Sequence, residues 1–493
     1  MAHATHRGSK EALGKSPIGP LLVQMSLPAV IAMGVNALYN VVDTIFIGRG
    51  VGPLAIGGVS IAFPIQIIVL ACGLLVGIGS ASVISRALGA NEDERAAQTA
   101  GNALFLTLTL GAIVTALGYL LLDPILTLFG ATEQLRPYAR EYLTNVLPGA
   151  AFVAAAVAAN HITRSEGHAR VAMTVMLIGA VANIILDWIF IYPLDMGVAG
   201  AARATVLAQF LSFVFAMQFY IRGKSNIGIK ARHLIPDWSL MPEVLALGFA
   251  PFVRQIGASV FIIFTNNALR IFASDLHISA FGVIHKVLIF ALLPLIGISQ
   301  GFQPIAGFNF GARRYDRVRE ALWKTFTATS LIGLLVFSLI QLFPDVVFSV
   351  FTDNVDLIEI GRPALRIVMI ALPVLSFQIA GAIFFQAIGK AIPSIVLAMS
   401  RQILFLIPLV AILPNFFGVF GVWVAFPAAD LLSVGITIAW LGAELRHMKT
   451  LECVEMPANA GCEDPDPERD VDDIAQHKAA SDTPAEESVL EAT

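Results

Sequence analysis

Three aspartates lie inside long apolar stretches: Asp43, Asp187 and Asp430. A carboxylate at membrane depth is costly, and its presence points to function. In the stretch NALYNVVDTIFIG, Asn36, Asn40 and Asp43 fall at i, i+4 and i+7, on one helical face. In VANIILDWIF, Asn183 precedes Asp187 by four residues, and Thr205 and Asn160 add a hydroxyl and a carboxamide from two further apolar runs. Hard oxygen donors of this kind suit a small hard cation such as Na+. Two neighbouring buried carboxylates also resist full ionisation, so the same group could hold one shared proton. A purely structural clamp of interhelical hydrogen bonds would use these residues without any ion.

These groups need elements to hold them, and the composition says which kind. Of 493 residues, 57% are hydrophobic and 13% charged, and the mean hydropathy is +0.78. A soluble domain needs roughly 25% charged residues to cover its surface, so the chain reads as a polytopic membrane protein. Apolar runs long enough to span the bilayer fall near 21–48, 54–86, 96–122, 134–162, 169–192, 198–221, 242–271, 279–306, 319–343, 357–387, 393–413 and 419–445. The expected fold is therefore an all-α membrane protein of twelve helices. Pro28, Pro64, Pro148, Pro251, Pro294 and Pro373 fall inside these runs and predict bends. Glu243 and Glu444 sit near span ends, where they are expected to reach the headgroups.

Short loops on one side carry nineteen Lys and Arg residues, among them Arg86, Arg95, Arg222, Lys224, Arg313 and Arg317. The other side carries six: Arg49, Arg136, Arg140, Arg270, Arg362 and Arg366. By the positive-inside rule both termini are cytoplasmic. The first 16 residues are polar and lack the apolar core of a cleavable signal. Residues 452–493 hold 13 acidic and 2 basic side chains without apolar periodicity, which reads as a disordered acidic tail over about 448–493. Cys72, Cys453 and Cys462 show no metal or disulfide spacing.

The chain also repeats. Pro28 aligns with Pro251, Gly89 with Gly311, and YPLDMGVAGAARATVLAQ with LPNFFGVFGVWVAFPAAD, all at an offset near 222. This predicts two six-helix bundles, 17–221 and 241–447, related by an axis along the membrane normal around a central cavity, with a basic cytoplasmic linker over 222–240. The acids are not repeated: Asp43 falls opposite Asn266, Asp187 opposite Pro408, and Thr205 opposite Phe426. The second half instead places Arg254, Lys286, Arg401 and Asp430 at apparent membrane depth, with Asp430 able to pair with Arg401 or Lys286. Pro28, Tyr39, Asn36, Asn40, Asn160, Gln255, Asn266, Gln303 and Gln378 are further candidates to line or support the cavity. No H-E-x-x-H, G-x-S-x-G or Asp-rich metal motif suggests an enzyme.

NALYNVVDTIFIGRGVGPLAIGGVSIAFPI, SRALGANEDERAAQ and GVAGAARATVLAQ together resemble the multidrug and toxic compound extrusion (MATE) family, closest to its DinF-type branch, over about residues 17–447. The resemblance implies export of organic cations and amphipathic compounds in exchange for Na+ or H+. It implies a coupling site in the first half formed by Asp43, Asn183, Asp187 and Thr205, with no cofactor. Spans 7 and 10 offer no deep acid, since Glu243 lies at an end and span 10 has only Gln378, which departs from the NorM-type scheme. The expected partners are small-molecule drugs or dyes and the lipid bilayer, not nucleic acid, with the chain acting as a monomer in the cytoplasmic membrane. The competing reading is a flippase for lipid-linked substrates, kept open by Arg254, Lys286 and Arg401.

Overall fold

The structure, a computed structural model, describes residues 10–455, with side chains through residue 452. Arg7 and most of the acidic tail lie outside the described residues. Within the described residues every regular element is helical, as expected where backbone groups find no water to bond. Eleven helices are long and apolar enough to cross a membrane, and a bent pair supplies a twelfth. They are α1 Ile18–Gly50, α2 Pro53–Gly89, α3 Asp93–Leu120, α4 Arg136–Ser165, α5 Ala169–Ile191 and α6 Gly197–Ile221. The second set is α7 Met241–Phe272, α8 Asp275–Gly311, α9 Tyr315–Leu342, α10 (Val355–Val368 with Leu372–Ala387), α11 Ala391–Phe417 and α12 Val419–Glu452. Residues Met1–Trp440 form one compact unit and Leu441–Thr493 a second, whose described part is the end of the last helix.

The twelve expected spans are present, but not all are single rods. The halves of α10 meet at a 52° bend. Pro373 stands in the first turn of its second half rather than inside a continuous helix, a position where the missing N–H costs nothing. Pro148 likewise lies in a short 3-10 turn, Leu147–Gly149, that interrupts α4. Pro28, Pro64, Pro251 and Pro294 are interior to their helices, as predicted. In α11 the residues Ser400–Leu406 form a wide π-helical turn. Pro408, just beyond it, has no N–H to close an ordinary helical turn.

The helices form two six-helix bundles. In the first, α1 packs on α5, α2 on α3 and α4, and α6 on α4 and α5. In the second, α7 packs on α11, α8 on α9 and α10, and α10 on α9 and α11. The bundles meet through α2 against α7 and α1 against α8. Exchanging the halves converts one of these contacts into the other, which is what a repeat on a common axis requires.

Close backbone approach makes this contact. A Cβ on Gly248 would stand 1.6 Å from the Leu75 carbonyl, and one on Gly79 would stand 2.0 Å from the Val244 carbonyl. Only glycine fits at such a crossing. The contact lies at the end holding the start of α1 and α7 and the end of α2 and α8. There Glu243 does not reach for headgroups, contrary to the sequence expectation. Its two oxygens accept from Arg86 Nη2 at 2.7 Å and Arg95 Nη2 at 2.8 Å, both from the other bundle. Two arginines within reach hold the carboxylate more strongly than solvated headgroups would. Glu444, expected to behave similarly, is buried. The segment before α1 joins the same end: Arg314 Nη1 donates to the Gly14 carbonyl at 2.6 Å, and Arg317 Nη2 to that of Ser16 at 2.7 Å.

Candidate functional site

Asp43 lies seven residues before the end of α1, and Asp187 four residues before the end of α5. At 1.5 Å per residue these positions are roughly 10 Å and 6 Å from the helix ends, towards the end of the molecule opposite the glycine contact. The packing of α1 on α5 brings their carboxyl groups near enough to interact electrostatically. Two ionised carboxylates can only accept, so a bond between them needs a proton on one, whereas a cation between them would be coordinated by both.

Asn183 and Asp187 are buried, at 2% and 0% exposure. Asn183 Nδ2 donates to Thr205 Oγ1 at 3.4 Å, and Thr205 Oγ1 donates to the Ala201 carbonyl at 3.1 Å. Thus α1, α5 and α6 contribute the four residues singled out by sequence. Four of their buried oxygens have no hydrogen-bond partner: Asp43 Oδ1, Asn183 Oδ1 and both carboxylate oxygens of Asp187. Buried polar atoms are ordinarily satisfied. An oxygen-only set of this kind, with two carboxylates and neutral donors, fits Na+ or a proton by its chemistry. With no thiolate or imidazole among its donors, the set suits a hard cation better than a soft transition metal.

Two neighbours were not anticipated from sequence. Tyr142 of α4 is buried, and its hydroxyl accepts from Gln66 Nε2 of α2. Tyr39, one turn before Asp43, and Tyr142 both lie near enough to the two aspartates to interact with them electrostatically. The signal for Tyr142 was weak, because it sits in a strongly amphipathic segment where a tyrosine reads as packing.

The other candidates divide. Asn36 and Asn40 are exposed, and Asn40 Nδ2 donates to the Asn36 carbonyl at 2.7 Å. Sharing a face with Asp43 has not placed them among the buried oxygens. Asn160 donates to the Ala172 carbonyl at 2.6 Å and accepts from Arg164 at 2.8 Å. Arg164 also donates to Gln300 of α8, across the bundles. Gln378 is committed to the Leu397 carbonyl at 2.7 Å. Gln303 is buried with Nε2 unpartnered, beside His161 and Arg164. Gln255 and Asn266 are partly buried. Of the two partners open to Asp430, the structure selects Arg401, whose Nε donates to Oδ1 at 2.6 Å. Lys286 is exposed and not part of the pair. Pro28 lines a cavity of about 650 Å³ along the first turns of α1, which does not include the aspartates.

A profile of the MatE family matches residues 28–189 and again 253–412, one segment in each bundle. Multidrug export protein MepA of Staphylococcus aureus (strain MSSA476) is 24% identical over 448 residues, covering 90% of this chain and 98% of that protein. MepA of Staphylococcus haemolyticus (strain JCSC1435) is 23% identical over 410 residues, 83% of this chain and 90% of that one. Among solved structures, an outward-facing multidrug resistance MATE family transporter of the MOP superfamily is 26% identical with a TM-score of 0.85, covering 90% of this chain and 99% of that one. A MATE crystal structure in complex with MaD3S is 26% identical with a TM-score of 0.84, covering 89% and 98%.

Proposed function

Because this chain belongs to the MatE family, the multidrug and toxic compound extrusion transporters, we propose that it is a secondary antiporter that exports organic cations and amphipathic compounds against inward flow of Na+ or H+. It is a transporter and not an enzyme, and its relatives export drugs. The observation that carries the coupling proposal is the set of orphaned oxygens on Asp43, Asn183 and Asp187, with Thr205 beside them. Asp43 and Asp187 would hold the ion, and Asn183 and Thr205 would act as neutral ligands. The coincidence of these four residues also supports assignment to the DinF-type branch.

The ion acts by differential affinity. Two adjacent buried carboxylates favour any arrangement in which a cation or proton lies between them, so loading shifts the population towards the state that draws α1 and α5 together. Unloading restores the repulsion. With the bundles rocking about a shared cavity, this exchange drives alternating access. Pro28 gives α1 a point at which it can bend, because its ring removes one backbone hydrogen bond. The excess of Lys and Arg on one side supports a cytoplasmic-membrane protein with both termini inside, acting as a monomer. On this reading the domains run 17–221 and 241–447 about the linker 222–240.

The test is dye efflux from proteoliposomes under separate Na+ and pH gradients, for the wild type and Asp43→Asn. The substitution removes a charge at nearly constant volume and should lower gradient-driven efflux at least about tenfold. Full coupled efflux by Asp43→Asn would exclude the role given to Asp43. The second reading, lipid flipping, is favoured by Arg254 and Lys286, which have no acidic partner among the described residues. Gradient-independent movement of a labelled lipid would support it.

A further inference from the structure

The second bundle carries a charged pair that the coupling scheme leaves unused. Arg401 of α11 and Asp430 of α12 meet at 2.6 Å, with side-chain exposures of 13% and 4%. Asp430 is thus enclosed, while Arg401 keeps an accessible edge. The bond to Asp430 is made by Nε. Nη1 and Nη2 make no hydrogen bond among the described residues, and neither is among the enclosed polar atoms that lack a partner. The outer edge of the guanidinium is therefore both unoccupied by protein and reachable.

Two features adjoin this edge. Arg401 lies within the π-helical turn Ser400–Leu406, an irregularity that recurs at functional positions. His285 of α8, close enough to interact with Arg401, packs its ring against Phe261 and Phe281 at centroid distances of 5.7 and 5.9 Å. Arg254 and Lys286, which the sequence places at apparent membrane depth in this bundle, are also basic. In the first bundle two carboxylates, Asp43 and Asp187, lie near each other.

We propose that Arg401, held through Nε by Asp430, forms a subsite for a carboxylate group, so that the protein binds solutes that carry one, cationic dyes with a free carboxyl among them. The reason is geometric. A guanidinium fixed along one edge offers two parallel N–H donors on the other, matching the two oxygens of a carboxylate. Asp430 is a positioning residue that fixes the plane of the fork. The subsite rests on the efflux reading for its role in transport, but its existence is a matter of binding alone.

The experiment compares a free-acid rhodamine with its methyl ester, which share one cationic ring system and differ only at the carboxyl group. Binding to the purified full chain is measured by fluorescence anisotropy, without a gradient. The wild type should bind the acid roughly tenfold more tightly than the ester, and Arg401→Met should bring that ratio to about one. Removing one partner of a buried pair can unfold a protein, so the double variant Arg401→Gln with Asp430→Asn, a neutral hydrogen-bonded pair, is measured beside it and should also give a ratio near one. A merely structural pair would weaken both ligands and leave the ratio unchanged. A ratio near one in the wild type, or a ratio near ten in either variant, overturns the subsite. Export of both dyes under a gradient is read separately: a wild type that shows the binding ratio but exports neither dye keeps the subsite and removes the efflux reading.

Discussion

Asp187, proposed to bind the coupling ion, is a residue whose burial is costly to the fold. It is fully buried, both its carboxylate oxygens lack partners, and a second carboxylate lies beside it. Removing one buried, uncompensated charge is stabilising when the replacement keeps the shape. Asp187→Asn should therefore raise thermal stability in Na+-free alkaline buffer, by on the order of 1 kcal/mol or more, while gradient-driven efflux falls. Wild-type stability should rise with added NaCl but not with an equal concentration of a large organic cation, since an ion that binds the folded state stabilises it. Thermal unfolding in detergent reads both effects. A variant less stable than wild type without Na+ would mean that Asp187 is already neutralised by protein groups. The four candidate residues stood out in the sequence, the two aspartates because a carboxylate in an apolar run has few explanations, and Asn183 and Thr205 because their spacing from Asp187 matches the pattern of the family the chain resembles. Tyr142 and Gln66 did not, because their side chains are ordinary in any helix until the fold brings Tyr142 near the aspartates with Gln66 bonded to its hydroxyl.

At the scale of elements, the linker between the bundles is fastened to the first bundle by a carboxylate. Glu166, in the turn between α4 and α5, accepts from Ser225 Oγ at 2.6 Å and from the Asn226 amide at 2.8 Å, while Asn226 Nδ2 donates to the Glu166 carbonyl at 3.1 Å. Burial is the main cause that pushes the Glu166 carboxyl up from 4.5 to about 7, against the hydrogen bonds from Ser225 and Asn226 that favour its charge. An acid raised in the folded state favours folding below its unfolded value. That contribution, on the order of 3 kcal/mol at most, is lost as pH rises through about 7. Wild-type stability should fall between about pH 5 and pH 8, whereas Glu166→Gln should be flatter across that range and more stable at its alkaline end. Amide exchange over 222–230 provides the local measurement: equal slopes for both proteins would remove Glu166 as the cause. Proline was a less certain guide to elements. Pro148 and Pro373 mark breaks rather than bends within one rod, because a proline in the first turn of a helix starts it as readily as an interior proline kinks it.

At the scale of the whole molecule, the contact between bundles depends on small residues and one shared acid. A side chain at Gly248 cannot coexist with the Leu75 carbonyl 1.6 Å from its Cβ position. Gly248→Leu should therefore force the bundles apart at this end. Glu243→Gln should weaken the same contact more gently, by removing the charge that Arg86 and Arg95 share. Cysteines placed at Ser82 and Ala387, whose neighbourhood includes the bond from Ser82 Oγ to the Gln386 carbonyl, report the outcome by thiol labelling. Labelling should rise several-fold in both variants and most in Gly248→Leu. Unchanged labelling in Gly248→Leu would mean that α7 shifts along α2 without opening.

The sequence by itself determined the membrane class, the number of spans, the internal repeat and the acids of the first half. Each of these follows from composition or periodicity, which local physics imposes on the chain before it packs. Tertiary structure alone decided which polar groups meet. It joined Asp43 to Asp187 across α1 and α5, gave Asp430 to Arg401 rather than Lys286, moved Glu243 from the headgroups to two arginines of the other bundle, and left Asn36 and Asn40 exposed. The reason is the same in each case. A helix fixes which residues share its face, but only its neighbours fix what that face meets.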